Sequence, residues 1–183
     1  MKKGRQRPKG GAYELVVAKL FTEQYYPNNE GVFKRVPKSG GWDKRIICGD
    51  ISPFLFTAKD GGDGTGQLEP DSTFPFSIEC KNWNAKNVKH FFSGLYSAES
   101  AMFDWVEQAK LDSIPTGKLP MVVFKLYGKN NIAILSQPVF NDLLDIFGVP
   151  DSKFYTIFSD EVFCTFILLS EVFSWIDFAH YRG

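Results

Sequence analysis

Glu79 and Lys81 stand two residues apart in "FPFSIECKNW", where the alternation of apolar residues marks a strand. In an extended chain alternate side chains share a face, so this carboxylate and this amine point the same way while Ile78 and Cys80 point the other. A cross-strand salt bridge at a sheet edge would account for the pair. Chemistry would need a second acid, and the sequence offers two. Asp71 lies eight residues before Glu79, roughly 26 Å along an extended segment, too far for both to hold one ion. It reads as loop. Asp50 closes the run "RIICGD" and opens the preceding strand, so a hairpin-like return can set it beside Glu79. Asp50, Glu79 and Lys81 on adjacent strands would make a hard, oxygen-rich site for Mg2+, with Mn2+ able to substitute, beside an ammonium group. That donor set suits metal-assisted hydrolysis of a phosphodiester, the ion lowering the proton affinity of water and offsetting charge on the phosphate. Lys81 would orient or help deprotonate the water, or hold the phosphate.

The elements that must position these groups follow from periodicity. Tyr13, Val16, Val17, Leu20 and Phe21 recur on one side of a helical wheel, predicting a first helix over residues 10–25 that ends before Pro27. Two strands, "ISPFLFTA" and "FPFSIECKNW", flank the loop "KDGGDGTGQLEPDS". No helix start follows its glycines, as a phosphate-binding turn requires, and Gly62 stands where a calcium loop needs an oxygen ligand. Ala98, Met102, Trp105, Val106 and Ala109 predict a helix over residues 96–111, and "LPMVVFKLYGKNNIAILS" a pair of strands around a turn. Ser136 or Gln137, Pro138, Gly148 and Pro150 bracket a helix over "PVFNDLLDIF". The strands "FYTIF" and "VFCTFILL" follow, with Ser170 as the expected cap of a last short helix. Helices mixed with strands predict an α/β fold with a mixed central sheet flanked by helices. A basic arm over residues 1–9 and a single domain over residues 10–183 are the expected organisation.

With 44% apolar and 16% aromatic residues, 18 of them Phe, the chain has the material for a packed core. No apolar run is long enough to cross a bilayer, and "MKKGRQRPKG" is not followed by a secretory h-region. Cys48, Cys80 and Cys164 have no metal-type spacing. A soluble cytoplasmic protein with free thiols and no membrane partner is expected. The net charge of zero is divided: residues 1–90 carry 15 Lys/Arg against 10 Asp/Glu, and residues 91–183 carry 6 against 11. Lys2, Lys3, Arg5, Arg7 and Lys9 form one basic cluster, and Lys34, Arg35, Lys38, Lys44 and Arg45 a second. Such clusters suit a nucleic-acid backbone, or are simply solvated surface. Lys86 and Lys89, after the second strand, could also touch phosphates. His90 and His180 have no partners at ligand spacing.

Four segments, "KGGAYELVVAKLF", "RVPKSGGWDKRIICGDI", "FPFSIECKNW" and "WVEQAKLDSIPTGKLPMVVFK", together resemble the PD-(D/E)XK nucleases, and among them the archaeal-type Holliday junction resolvases and phage-encoded nucleases like them. The resemblance spans residues 9–125 and departs from the pattern in the long insert between Asp50 and Glu79. It implies a Mg2+-dependent endodeoxyribonuclease acting on four-way or other branched DNA. Asp50, Glu79 and the Cys80 carbonyl would hold the metal, with Glu14 reaching it through water from the first helix and Lys81 catalytic. Gln108 would support the site and Ser39 contact the scissile phosphate. Glu14 and Gln108 could equally be boundary residues at the edge of an apolar stripe, and Ser39 a turn residue. Two symmetric cuts in a junction imply a homodimer. A sequence-specific endonuclease of restriction or homing type, and a non-catalytic DNA-binding or assembly protein, remain as alternatives.

Overall fold

The computed structural model describes residues 9–29, 31–36, 45–57, 67–82, 95–125, 130–158 and 163–177. The first helix, α1 (Lys9–Tyr25), is followed by strands β1 (Phe33–Arg35), β2 (Ile51–Thr57), β3 (Gln67–Pro70) and β4 (Phe76–Lys81). Helix α2 (Leu95–Ser113) and a 3-10 turn lead to β5 (Leu119–Lys125), β6 (Asn131–Ser136), α3 (Gln137–Phe147), β7 (Phe154–Phe158), β8 (Phe163–Leu168) and α4 (Leu169–Trp175). The strands lie in the order β1-β2-β4-β5-β6-β8-β7, with β3 paired to β2. Among the described residues only β4 and β5 run parallel, joined through α2; every other pairing is antiparallel. The fold is therefore α/β with a mixed central sheet, as expected.

Alternation along the strands sorts side chains between two cores. On one face Ile78, Cys80, Met121, Val123, Ala133, Leu135 and Ile167 meet Tyr13, Val17 and Phe21 of α1, Phe140 and Leu143 of α3, and Leu169 and Val172 of α4. On the other, Val122, Phe124, Ile134, Cys164 and Phe166 pack under Met102, Val106 and Ala109 of α2. Phe21 anchors the first core by edge-on contacts with Phe74 and Phe173, at ring separations of 6.3 and 5.0 Å.

Several expectations are corrected. Strand β3 lies in the stretch read as loop, and β1 in the connection between the first helix and "RIICGD", where no strand was expected; both are short and owe their extended form to pairing with β2, with Phe33 of β1 buried in the core. Within the predicted α1 stripe Val16 is 51% exposed and Leu20 only half-buried, so the buried face is narrower than the wheel suggests. Lys9, placed in the arm, is the first residue of α1. Ser170 lies inside α4, whose cap position is Leu168. Ser136 does stand before α3, without a side-chain cap bond, and Gly148 ends that helix with φ 73°.

Candidate active site

The site is assembled at the C-terminal end of β4. Ile51 stands opposite Ile78, the single register position joining β2 to β4. Just before it the Asp50 N–H donates to the Ile78 carbonyl at 2.7 Å. This approach depends on Gly49, whose φ is 77° and whose missing Cβ would fall 2.5 Å from the Ile78 oxygen. No side chain fits there, and the left-handed backbone also favours glycine. The Asp50 carboxylate then accepts the Cys80 N–H at 2.8 Å through Oδ2.

Glu79 and Lys81 project together toward α2, as the alternation predicts. Lys81 Nζ donates to Glu79 Oε1 at 2.6 Å and to Gln108 Oε1 at 2.8 Å, and Gln108 Nε2 donates to Glu79 Oε1 at 3.2 Å. Both bonds to Glu79 fall on the same oxygen, and Oε2 takes part in neither. Glu79 and Asp50 are 5% and 7% exposed. Burial raises the proton affinity of Glu79 most; the Lys81 hydrogen bond opposes that, while the charges of Asp50 and Asp112 add to it. Burial, followed by the charges of Asp50, Glu79 and Glu14, pushes the Cys80 thiol well above its ordinary range, so this cysteine stays neutral and unreactive.

Glu14 is also buried, at 5% exposure. Its partner is Arg35, which donates from Nε to Glu14 Oε2 on the α1 side of the sheet. The structure thus brings Asp50, Glu79, Lys81 and Gln108 together and sets Glu14 with Arg35 across the sheet from Gln108. Lys34 is exposed on β1. Lys2, Lys3, Arg5, Arg7, Lys38, Ser39, Lys86 and Lys89 lie outside the described residues, as does the Lys9 side chain. Asp71 caps its own turn, accepting from the Thr73 N–H and hydroxyl and from Tyr26 Oη, and so serves the loop.

Among the described residues no group of three or more His, Cys, Asp and Glu side chains is arranged to hold a metal ion. What is present is a pair of buried carboxylates, with the Asp50 charge adding to the raised proton affinity of Glu79, that offer hard oxygen donors. Hard oxygen donors of that kind fit a divalent cation such as Mg2+ or Mn2+.

Over residues 5–181 the chain matches the family described as "Phage putative PDDEXK endonuclease". It belongs to that endonuclease family. No curated protein and no solved structure matches it significantly. Membership gives the Glu79-Cys80-Lys81 triplet a nuclease context that two charges on a strand could not supply alone. Gly49, Asp112 and the Glu14–Arg35 pairing escaped the sequence reading. A glycine directly before a strand-opening aspartate was the available signal for the first. Asp112 lies four residues after Gln108, hence on the same side of α2, which was the signal for the second.

Proposed function

We propose that this endonuclease-family protein is a divalent-metal-dependent endodeoxyribonuclease that cuts branched DNA, with the four-way junction as its preferred substrate. The observation that carries the reading is the Asp50 carboxylate, fixed on the Cys80 N–H, beside the Glu79–Lys81–Gln108 cluster. Asp50, Glu79 and the Cys80 carbonyl would hold Mg2+ or Mn2+, which when bound offsets phosphate charge and lowers the proton affinity of water. Two hydrogen bonds fix the Lys81 ammonium, and its third N–H, without a partner among the described residues, would orient the attacking water or a phosphate oxygen. Gln108 keeps that ammonium in place and, through its amide, holds the Glu79 oxygen that Lys81 shares. Lys34, Arg35, Lys38, Lys86, Lys89 and the basic arm of Lys2, Lys3, Arg5, Arg7 and Lys9 serve as phosphate contacts that position DNA without reading its sequence. Ser39 joins them at the scissile phosphate.

Symmetric cutting of a junction calls for a two-fold dimer. The exposed aromatics Tyr155 and Phe163 at the β7–β8 edge of the sheet are a candidate contact. No helix among the described residues is long and apolar enough to cross a membrane, and the reading places the protein with DNA in the cytoplasm of the cell a phage infects.

The test incubates purified protein with Mg2+, or with chelator, and matched linear and four-way DNA. Paired nicks in the four-way form alone, lost with chelator and in Glu79→Gln, are expected. Sequence-dependent cleavage of linear duplex would favour the restriction or homing type, and junction binding without any cleavage would favour the non-catalytic DNA-binding protein.

A further inference from the structure

Glu14 and Arg35 form a pair in which the anion is sealed and the cation is not: their side chains are 7% and 44% exposed. The bond engages Arg35 Nε, the inner edge of the guanidinium, and not Nη1 or Nη2. Those terminal nitrogens lie over Gly11 on the first turns of α1, where a Cβ would come within 3.0–3.2 Å of Nη1, Cζ and Nη2. The guanidinium therefore rests on bare helix backbone, gripped at Nε, while Nη1 and Nη2, the edge that can meet a phosphate through two parallel N–H bonds, have no hydrogen-bond partner among the described residues. Its place in the sheet is equally specific. Arg35 stands opposite Ile51, and Ile51 opposite Ile78, so the three share one row; Asp50 and Glu79 are the next residues along. Arg35 thus rises about 10 Å, two strand spacings, from the strand that carries Glu79.

Resting on the nuclease reading above, we infer that Arg35 is a backbone-phosphate site and that Glu14 is the positioning residue that presents it, rather than a ligand of the metal. A long side chain on a short edge strand loses rotamer freedom when it grips a phosphate; a buried carboxylate that already fixes Nε removes most of that cost beforehand. Glu14 is suited to this because it is buried in front of the guanidinium rather than directed into the Lys81–Gln108 cluster.

The sign of the Glu14 effect on DNA binding decides the matter. Binding of a labelled four-way DNA to Glu14→Met is measured by fluorescence anisotropy in chelator across about 50–200 mM salt, where phosphate contacts dominate, and Mn2+ binding by calorimetry without DNA. Removing a negative charge should by simple repulsion tighten DNA binding. The inference requires the opposite, roughly two- to tenfold weaker binding from an unanchored arginine, with Mn2+ affinity unchanged. Glu14→Met/Arg35→Met replaces both charges with apolar chains of similar length and so keeps the fold testable. It should bind more weakly still, with a slope of log Kd against log salt shallower by about 0.9, the loss of one phosphate contact. Equal or tighter DNA binding by Glu14→Met, loss of its Mn2+ affinity, or an unchanged salt slope in the double variant would each overturn the inference. If the wild type cuts DNA while Glu14→Met binds normally, this assignment alone fails. If the variants behave as expected but the wild type never cuts, the nuclease reading alone fails.

Discussion

Gly49→Ala isolates the step that places Asp50. With φ at 77°, alanine pays a left-handed backbone penalty of about 1–2 kcal/mol. Its Cβ would also lie 2.5 Å from the oxygen and 2.8 Å from the nitrogen of Ile78, so the chain before β2 must move off β4. That displacement breaks the 2.7 Å Asp50 N–Ile78 O bond and the 2.8 Å Cys80 N–Asp50 Oδ2 bond. A neutral backbone bond is worth about 1 kcal/mol and a charge-assisted one about 1.5–3, which brings the expected destabilisation to about 3–6 kcal/mol. Gly117 is the control, because its φ of 67° carries the same backbone penalty with no atom within 4 Å of an added Cβ. For a domain of this size Gly49→Ala should lower Tm by roughly 10–20 °C and Gly117→Ala by roughly 5 °C. Calorimetry gives both values, and cleavage is then assayed well below both transitions. Gly49→Ala should have lost nearly all activity while Gly117→Ala keeps it. A Gly49→Ala protein with the melting temperature of Gly117→Ala and wild-type cleavage would refute the argument that this close approach seats Asp50.

Glu79→Gln should abolish cleavage and change the pH dependence of stability. Burial, reinforced by Asp50 and Asp112, holds the Glu79 proton affinity above its ordinary 4.5 despite Lys81. The folded chain then binds more protons than the unfolded one, so this group's contribution is greatest below pH 4.5 and declines as pH rises through the folded value. In chelator, wild-type Tm should fall relative to Glu79→Gln as pH is raised from 4.5 toward neutrality; a flat difference across a calorimetric pH series would contradict the burial argument. Gln108→Ala removes the amide that links Lys81 to Glu79 and should cost about 10–100-fold in cleavage rate, the usual effect of losing a group that orients a metal-site residue. An unchanged single-turnover rate would make Gln108 a boundary residue. Ser77 lies on the Glu79 face of β4, and its buried hydroxyl has no hydrogen-bond partner among the described residues. Ser77→Ala should stabilise the protein by about 1 kcal/mol, a Tm rise of about 2–4 °C by calorimetry, and a fall would mean the hydroxyl is satisfied.

Long apolar patterns were legible in the sequence and short pairings were not. Helix α1 and strand β4 announce themselves by periodicities of 3.6 and 2, because each buries a face against a core larger than itself. Strand β1, with the three residues Phe33–Arg35, and β3, with Gln67–Pro70, are too short to show a period, although Phe33 itself is buried in the core. They are extended because β2 offers unpaired N–H and C=O groups, a tertiary cause with no local signature. The same division holds in the site. That Glu79 and Lys81 share a face follows from strand geometry alone, whereas Glu14 facing Arg35 joins residues 21 positions apart through two different elements. Asp50 falls between these cases. Its position at a strand start was readable, but its contact with the Cys80 N–H depends on where the β2–β4 ladder stops.

That stopping point explains why the chemistry gathers at this strand. β2 pairs with β4 only at Ile51 and Ile78: beyond Ile51 it runs alongside β3, and before Ile51, on the side of Glu79 and Cys80, the chain is no longer in a strand. Past Ile78 no backbone carbonyl of β2 meets β4, and the Asp50 side chain supplies the acceptor for the Cys80 N–H. The other edge of β4 is filled, since β5 pairs with it in parallel from Phe76 through Lys81. The C-terminal end of β4 is thus bound on one side by a parallel neighbour and on the other by a carboxylate where a strand would otherwise continue. Mixed sheets accept ligands at such ends, where the neighbouring connections diverge and leave the strand terminus open. An aspartate in the place of a strand satisfies the backbone and brings negative charge to the opening in one residue. A cation is needed before a phosphate can approach that charge, and Lys81 alone, already shared between Glu79 and Gln108, does not offset two carboxylates. Under the function proposed above, metal binding is therefore the condition for engaging DNA, and the open end of β4 is the place for both.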